Sequence, residues 1–325
     1  MTLRVVFFGS PAFAAPSLAA LLDAGFPVPL VVTQPDRPVG RSSEPRPTAV
    51  AALAAASGIP VEKPARIRDD EAFLARLAAA APDAIAVVAY GRILPPAILR
   101  LPRLGCVNVH ASLLPRYRGA SPIQAALLNG DAETGVVTMR IVDELDAGPL
   151  LLETRVAIGP RETAEELSER LAVLGGRLLV ETLRGLESGA LAPRPQEGGP
   201  GASSFCRPIR REDGEVDWSL PAAAIARRLR AFTPWPGLYT FAGDTRIKIL
   251  EAEESSAGET GEPGPAREAG EPGSFRVESG RLLVAAGGGS ALDVLRAQRA
   301  GRGPVTGAEL AQNLGTVRRF GKAAG

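Results

Sequence analysis

Through the first 190 residues, short apolar runs alternate with stretches of helical period. The runs are "LRVVFF" at 3–8, "VPLVVT" at 28–33, "AIAVVAY" at 84–90, "CVNVH" at 106–110 and "VVTMRIV" at 136–142. Runs this short and this uniformly apolar suit strands buried on both faces. Between them, 16–25, 48–58, 70–81 and 121–130 carry apolar residues at helical spacing, and most close on glycine. Strand, helix, strand in repetition predicts an α/β domain with a doubly wound, mostly parallel sheet. A longer helical pattern at 163–189 ends this half, with Thr163 and Glu166 at the spacing of a capping box.

At 325 residues the chain exceeds the roughly 250–300 that one hydrophobic core supports, so two domains are expected. The Pro-, Gly- and Ser-rich stretch 190–206 reads as a linker between an N-terminal domain, 1–189, and a C-terminal domain, 207–325. After the linker a helix near 221–232 precedes β-like runs at 237–241, 245–251, 274–278, 281–285 and 291–298, which predict a small barrel or sandwich. The acidic, low-complexity stretch 251–273 is expected to be a disordered loop. Without it, 207–325 carries 16 basic residues against 8 acidic ones. Such a surface suits a phosphate backbone, and equally an ordinary solvated face balanced by its own acidic loop.

Composition narrows the partners. The net charge of +1 exerts no global pull toward nucleic acid, so any electrostatic specialisation must be local. No stretch approaches the ~18–20 apolar residues of a membrane span, which predicts a soluble protein with no membrane contact, and the low cysteine usage fits a reduced, cytoplasmic compartment. Two distant cysteines, Cys106 and Cys206, and a single histidine make neither a disulfide framework nor a metal site.

That histidine, His110, ends the run "CVNVH". Alternation on a strand puts Cys106, Asn108 and His110 on one face and Val107 and Val109 on the other. In open α/β sheets ligands bind outside the carboxyl ends of the strands, where an amide beside an imidazole could stabilise a developing oxyanion. A hydrogen-bonded structural histidine remains the competing reading. Asp146, in the "VDELDAGPLL" turn, is positioned to orient the imidazole if the sheet brings it near, with Asp143 and Glu144 as rivals. Ser112 lacks the G-x-S-x-G surroundings of a hydrolase nucleophile, a Cys106–His110 dyad conflicts with a small buried cysteine, and "FFGSPAFAAP" lacks the glycines of a dinucleotide loop. The Pro- and Arg-containing loop 33–47 brings Arg37, Arg41 and Arg46 as candidate phosphate contacts, or is a plain surface loop.

Several stretches, "FFGSPAFAAPSL", "VVTQPDRPVGR", "VVAYGRILP", "GCVNVHASLLPRYRGASPIQ", "GDAETGVVTMRIVDELDAG", "DWSL" and "RAFTPWPG", together resemble the methionyl-tRNA formyltransferase family over nearly the whole chain. The resemblance implies a formyltransferase catalytic domain followed by a barrel of the oligonucleotide/oligosaccharide-binding type. It implies Asn108, His110 and Asp146 as the catalytic set, Ser112, Leu113, Leu114 and Pro115 as a folate-contacting turn, and Arg37, Arg41, Arg46 and Arg207 as tRNA contacts. The implied co-substrate is 10-formyltetrahydrofolate, with no permanently bound cofactor. The implied partners of a monomeric chain are initiator methionyl-tRNA and tetrahydrofolate, with no metal. Departures from the family pattern are Ala111, where glycine is common, Glu44 in the 33–47 loop, and Arg207 in place of lysine. Two alternatives share some of these features: a folate-dependent formyltransferase acting on an amino sugar or glycinamide nucleotide, and a non-catalytic RNA-binding protein.

Overall fold

In the computed structural model, which describes residues 3–38, 44–196, 203–255 and 270–321, the chain divides into two units. The first comprises residues 1–122, 132–158 and 166–207, and the second comprises 123–131, 159–165 and 208–325.

The first unit contains strands β1 (Val5–Gly9), β2 (Val31–Val32), β3 (Arg37–Pro38), β4 (Pro45–Arg46), β5 (Val61–Glu62), β6 (Ala84–Val88), β7 (Cys106–His110), β8 (Arg118–Gly119), β9 (Glu133–Arg140), β10 (Leu150–Ala157) and β11 (Phe205–Cys206). Its helices are α1 (Ala15–Asp23), α2 (Ala49–Ala56), α3 (Glu71–Ala79) and α4 (Pro96–Leu99); α5 (Pro122–Asn129) and α6 (Ala164–Ser188) follow. Seven strands form one sheet in the order β10-β9-β7-β6-β1-β2-β5. From β7 to β5 every pairing is parallel; β9 and β10 are antiparallel additions at one edge.

Every residue of β1 and β6 is buried, as apolar residues on both faces of a strand require. Val6, Phe8, Ile85, Val87 and Cys106 face Phe73 and Leu77 of α3 and Ile98 of α4. Opposite them Val109 meets α6, where Gly175 leaves room: a Cβ there would stand 2.8 Å from Val109 Cγ1. Thr48 and Asp70 cap α2 and α3, accepting from the backbone N–H groups of Ala51 and Phe73.

The structure departs from the sequence expectations at four places. Leu150–Ala157 is an edge strand that alternation did not reveal, because its residues fall in blocks, three leucines followed by Glu153, Thr154 and Arg155. The 33–47 loop is not devoid of secondary structure, since β3 and β4 pair as a short antiparallel ribbon. The stretch read as a linker is anchored on the first unit at both ends: Arg194 bridges Leu150, and β11 pairs with β8. Residues 251–254 of the expected disordered loop extend a strand, while 256–269 lie outside the described residues.

The second unit holds α7 (Ala222–Ala231), β12 (Leu238–Ala242), β13 (Thr245–Glu254), β14 (Phe275–Glu278), β15 (Arg281–Ala285), β16 (Ala291–Arg299), β17 (Pro304–Thr306) and α8 (Gly307–Gln312). Its strands form an antiparallel sheet ordered β12-β13-β16-β15-β14, with β17 on β16. The terminal segment bridges both edges, Gly321 to Ala242 and Arg319 to Ser274, and Phe320 stacks between Trp218 and Phe275. Among the described residues, no helix is long and apolar enough to cross a membrane.

Because Gly175 sets how closely α6 approaches the strand that carries His110, Gly175→Val should destabilise the protein by about 1–3 kcal/mol through overpacking. Urea unfolding would measure it, and an unchanged midpoint would contradict this account of the packing.

Candidate active site

β7 delivers its polar face as alternation requires, but its three members have different surroundings. Cys106 is buried, its thiol directed at the Ile98 carbonyl 3.8 Å away, and burial pushes its pKa up to about 12. It is an inert core thiol rather than half of a dyad. Asn108 is partly exposed, and His110, at the carboxyl end of the strand, is buried.

The histidine's Nε2 lies 3.0 Å from the Tyr117 carbonyl. A carbonyl can only accept, so Nε2 carries the hydrogen, and in the neutral ring Nδ1 is left with a lone pair. Nδ1 faces Asp146 Oδ2 at 3.8 Å. Burial lowers the imidazole pKa; the Asp146 carboxylate and the Tyr117 carbonyl oppose that shift without cancelling it. The resting ring is therefore neutral above the ordinary value of 6.5, and a proton arriving at Nδ1 meets a carboxylate.

The rivals of Asp146 lie elsewhere: Asp143 is exposed, and Glu144 pairs with Arg118 Nη1 at 3.0 Å. Asp146 Oδ2 also accepts the backbone N–H of Gly119 at 2.8 Å. That contact requires glycine, because Gly119 has φ +114° and a Cβ would stand 2.3 Å from the Cys206 carbonyl oxygen. Cys206 closes the same wall, its sulfur 3.4 Å from the Ser121 N–H and the Arg118 carbonyl. Sequence reasoning missed Tyr117, Gly119 and Cys206. They act through backbone groups and a strand pairing, although "RG" two residues before the "SPIQ" helix is a signal for a turn glycine.

The turn after His110 is held from within. Ser112 is fully buried and donates to the Arg116 carbonyl at 2.7 Å. Leu114 packs with Val137, Met139 and Leu150, Leu113 lies against Gly135, and Leu114–Pro115 is cis. Ala111 is not among the residues with positive φ, so its Cβ carries no backbone penalty. Arg37 and Arg46 face each other across the β3–β4 ribbon and, with Gln34, Thr48 and Gly91, line a cavity of about 400 Å³. Arg207 is exposed, and Arg41 lies outside the described residues. No group of three or more potential metal ligands occurs among the described residues.

Residues 3–183 match the family model described as formyl transferase, and residues 208–315 match the formyl transferase C-terminal domain. Proteins named methionyl-tRNA formyltransferase in Acidobacterium capsulatum and Anaeromyxobacter dehalogenans are each 47% identical, covering 94% and 96% of this chain and 95% and 97% of their own. This chain belongs to the methionyl-tRNA formyltransferase family. It is accordingly an enzyme of the formyl-transfer class. The fold is also that of WlaRD, a sugar 3N-formyl transferase solved with dTDP and 5-N-formyl-THF, at TM-score 0.64 and 15% identity over 93% of this chain and 99% of that one. The N-formyltransferase of Helicobacter canadensis, solved with folinic acid and dTDP-3-aminofucose, matches at TM-score 0.63 and 16% identity over 90% of this chain and 99% of that one.

A single histidine makes the electrostatics of the site directly readable. The imidazole NMR signal should titrate below 6.5, and Asp146→Asn should lower the midpoint further. The unfolded chain then binds more protons than the folded one as pH falls below 6.5, so this part of the stability is present above that value and lost below it. A midpoint at or above 6.5 would put the carboxylate rather than burial in control.

Proposed function

We propose that the chain transfers the formyl group of 10-formyltetrahydrofolate to the α-amino group of initiator methionyl-tRNA, with Asn108, His110 and Asp146 as the catalytic set. The observation that supports these roles best is the setting of the buried His110 ring, with one nitrogen committed to Tyr117 and the other turned to a carboxylate. The methionyl amine attacks the formyl carbon, forming the new C–N bond and placing negative charge on the former carbonyl oxygen. Asn108, partly exposed on the same strand face, donates its amide hydrogen to that oxygen.

His110 in its neutral form has no hydrogen left for the oxyanion, since Nε2–H is engaged by Tyr117. Its Nδ1 instead takes the proton released by the attacking amine. Asp146 stabilises the resulting imidazolium, which then returns the proton to the departing folate nitrogen. Each proton is accounted for, and no covalent enzyme intermediate is needed. Water is kept from the ring by burial, which leaves it ready to accept a proton without carrying one at rest.

The inward-directed Ser112 and Leu114 leave the backbone of 112–115 and the partly exposed Leu113 and Pro115 to meet the folate. Arg37 and Arg46, like charges facing each other on a two-stranded ribbon, repel unless an anion lies between or over them, which suits acceptor-stem phosphates. Arg41 and Arg207 are assigned to the same partner. The basic C-terminal unit, read as a barrel of the oligonucleotide-binding type, would track the rest of the tRNA backbone.

Two outcomes test this reading. His110→Ala and Asn108→Ala should each lower the rate of formyl-methionine production by about 10²-fold or more with folding intact; near-normal turnover would remove them from the catalytic set. Replacing Arg37 and Arg46 together by alanine should raise the KM for tRNA and flatten its salt dependence while sparing the KM for folate. An unchanged tRNA KM would leave the ribbon without that role.

A further inference from the structure

The direction of β9 creates a difficulty for the site. Val107 of β7 stands opposite Arg140 and His110 opposite Val137, so β9 runs antiparallel and ends beside the start of β7, not beside His110. Three strand positions separate those levels, roughly 10 Å at ~3.3 Å per residue. The turn that bears Asp146 therefore leaves the sheet at the wrong end and must fold back to bring its carboxylate to 3.8 Å from Nδ1. It does so with Asp146 in the left-handed region at φ +47°, a conformation that costs a non-glycine residue about 1 kcal/mol.

One side chain holds the fold-back from outside the turn. Gln196 Nε2 donates to the Asp146 carbonyl at 2.7 Å and to the Gly148 carbonyl at 2.9 Å, using both of its hydrogens. Its Oε1 accepts from Arg118 Nη2 at 2.8 Å and Nε at 3.2 Å. The neighbours fix the orientation of the amide, because a flipped amide would set its oxygen against two carbonyls and its NH₂ against a guanidinium. Arg118 in turn reaches Glu144 at the start of the same turn. Gln196 is carried into place by the 190–196 segment, which pairs Arg194 with Leu150 immediately beyond the turn.

We propose that Gln196 is a positioning residue for catalysis: its two donated hydrogen bonds clamp the backbone from Asp146 to Gly148 and so aim the carboxylate at His110. The clamp touches neither substrate, so its loss should appear in kcat and not in KM. Its donor and acceptor halves are separable. Gln196→Glu keeps the shape and the acceptor for Arg118 but loses both donated hydrogens, whereas Gln196→Met loses all four bonds.

The proposal rests on the role given to Asp146, so the assay with 10-formyltetrahydrofolate and methionyl-tRNA includes Asp146→Asn beside the two glutamine variants, with thermal unfolding of each. Expected is a fall in kcat of about 10–100-fold for both Gln196→Glu and Gln196→Met with either KM changed less than about threefold, since a small misplacement of a catalytic group costs that much. Gln196→Glu keeps the Arg118 pairing but sets a carboxylate oxygen against two carbonyls, whereas Gln196→Met removes the contacts without that repulsion, so the variant that thermal unfolding shows to be folded at the assay temperature carries the test. Wild-type kcat in Gln196→Glu, with Asp146→Asn inactive, would overturn the clamp and leave the catalytic set standing. Wild-type kcat in Asp146→Asn would instead remove the role of Asp146 on which the clamp depends.

Discussion

The approach of Asp146 to His110 is the contact around which this site is organised, and it runs against the direction of the sheet. A parallel neighbour would have delivered its following turn to the same end as the histidine. The antiparallel β9 does not, and the chain compensates with several unusual local features. Asp146 adopts a left-handed backbone, Gly119 offers an N–H where no Cβ fits, and Gly148 passes so close to the Arg140 carbonyl that any Cβ would collide with it. Each feature would be a weakness in isolation. Together they place a carboxylate beside a buried imidazole, with no other ion pair to that carboxylate among the described residues.

Burial and proximity then oppose each other at the ring. Desolvation resists the positive charge that Asp146 invites, and the balance leaves a neutral ring whose protonated form is stabilised where it is needed. The Tyr117 carbonyl settles which nitrogen takes part. A ring free to choose its tautomer would divide its population between two forms that leave different nitrogens with the lone pair. This one has its choice made by the turn that follows it, so the 111–117 segment sets the state of the ring through backbone geometry.

Much of this was legible in the residues because the signals are local. Short, uniformly apolar runs located β1 and β6, and the run "CVNVH" located β7, each to within two residues, and helical spacing closed by glycine located α1, α2 and α5. The polar face of "CVNVH" follows from alternation alone. β10 escaped because its three leucines are followed by Glu153, Thr154 and Arg155, blocks that display no alternation, and β8 and β11 because two-residue pairings have no period at all. The rivalry among Asp143, Glu144 and Asp146 could not be resolved from spacing, since the fold-back that separates them depends on Gln196, fifty residues further along the chain. Tyr117, Gly119 and Gln196 were missed for a related reason: each contact runs through a backbone group, the Tyr117 carbonyl toward His110, the Gly119 N–H toward Asp146, and the Asp146 and Gly148 carbonyls toward Gln196, and composition keeps no record of such contacts.

The segment read as a linker looks expendable by composition, yet it pairs with β10 through Arg194, reaches the Asp146 turn through Gln196 and closes the wall of the site through Cys206. Its physical membership is with the catalytic unit. Exchange of C-terminal domains among relatives, by recombination or in the laboratory, would therefore preserve the chemistry only where the crossover falls beyond Cys206. A junction placed at the apparent boundary near residue 190 would replace the segment that holds the Asp146 turn with a foreign tether.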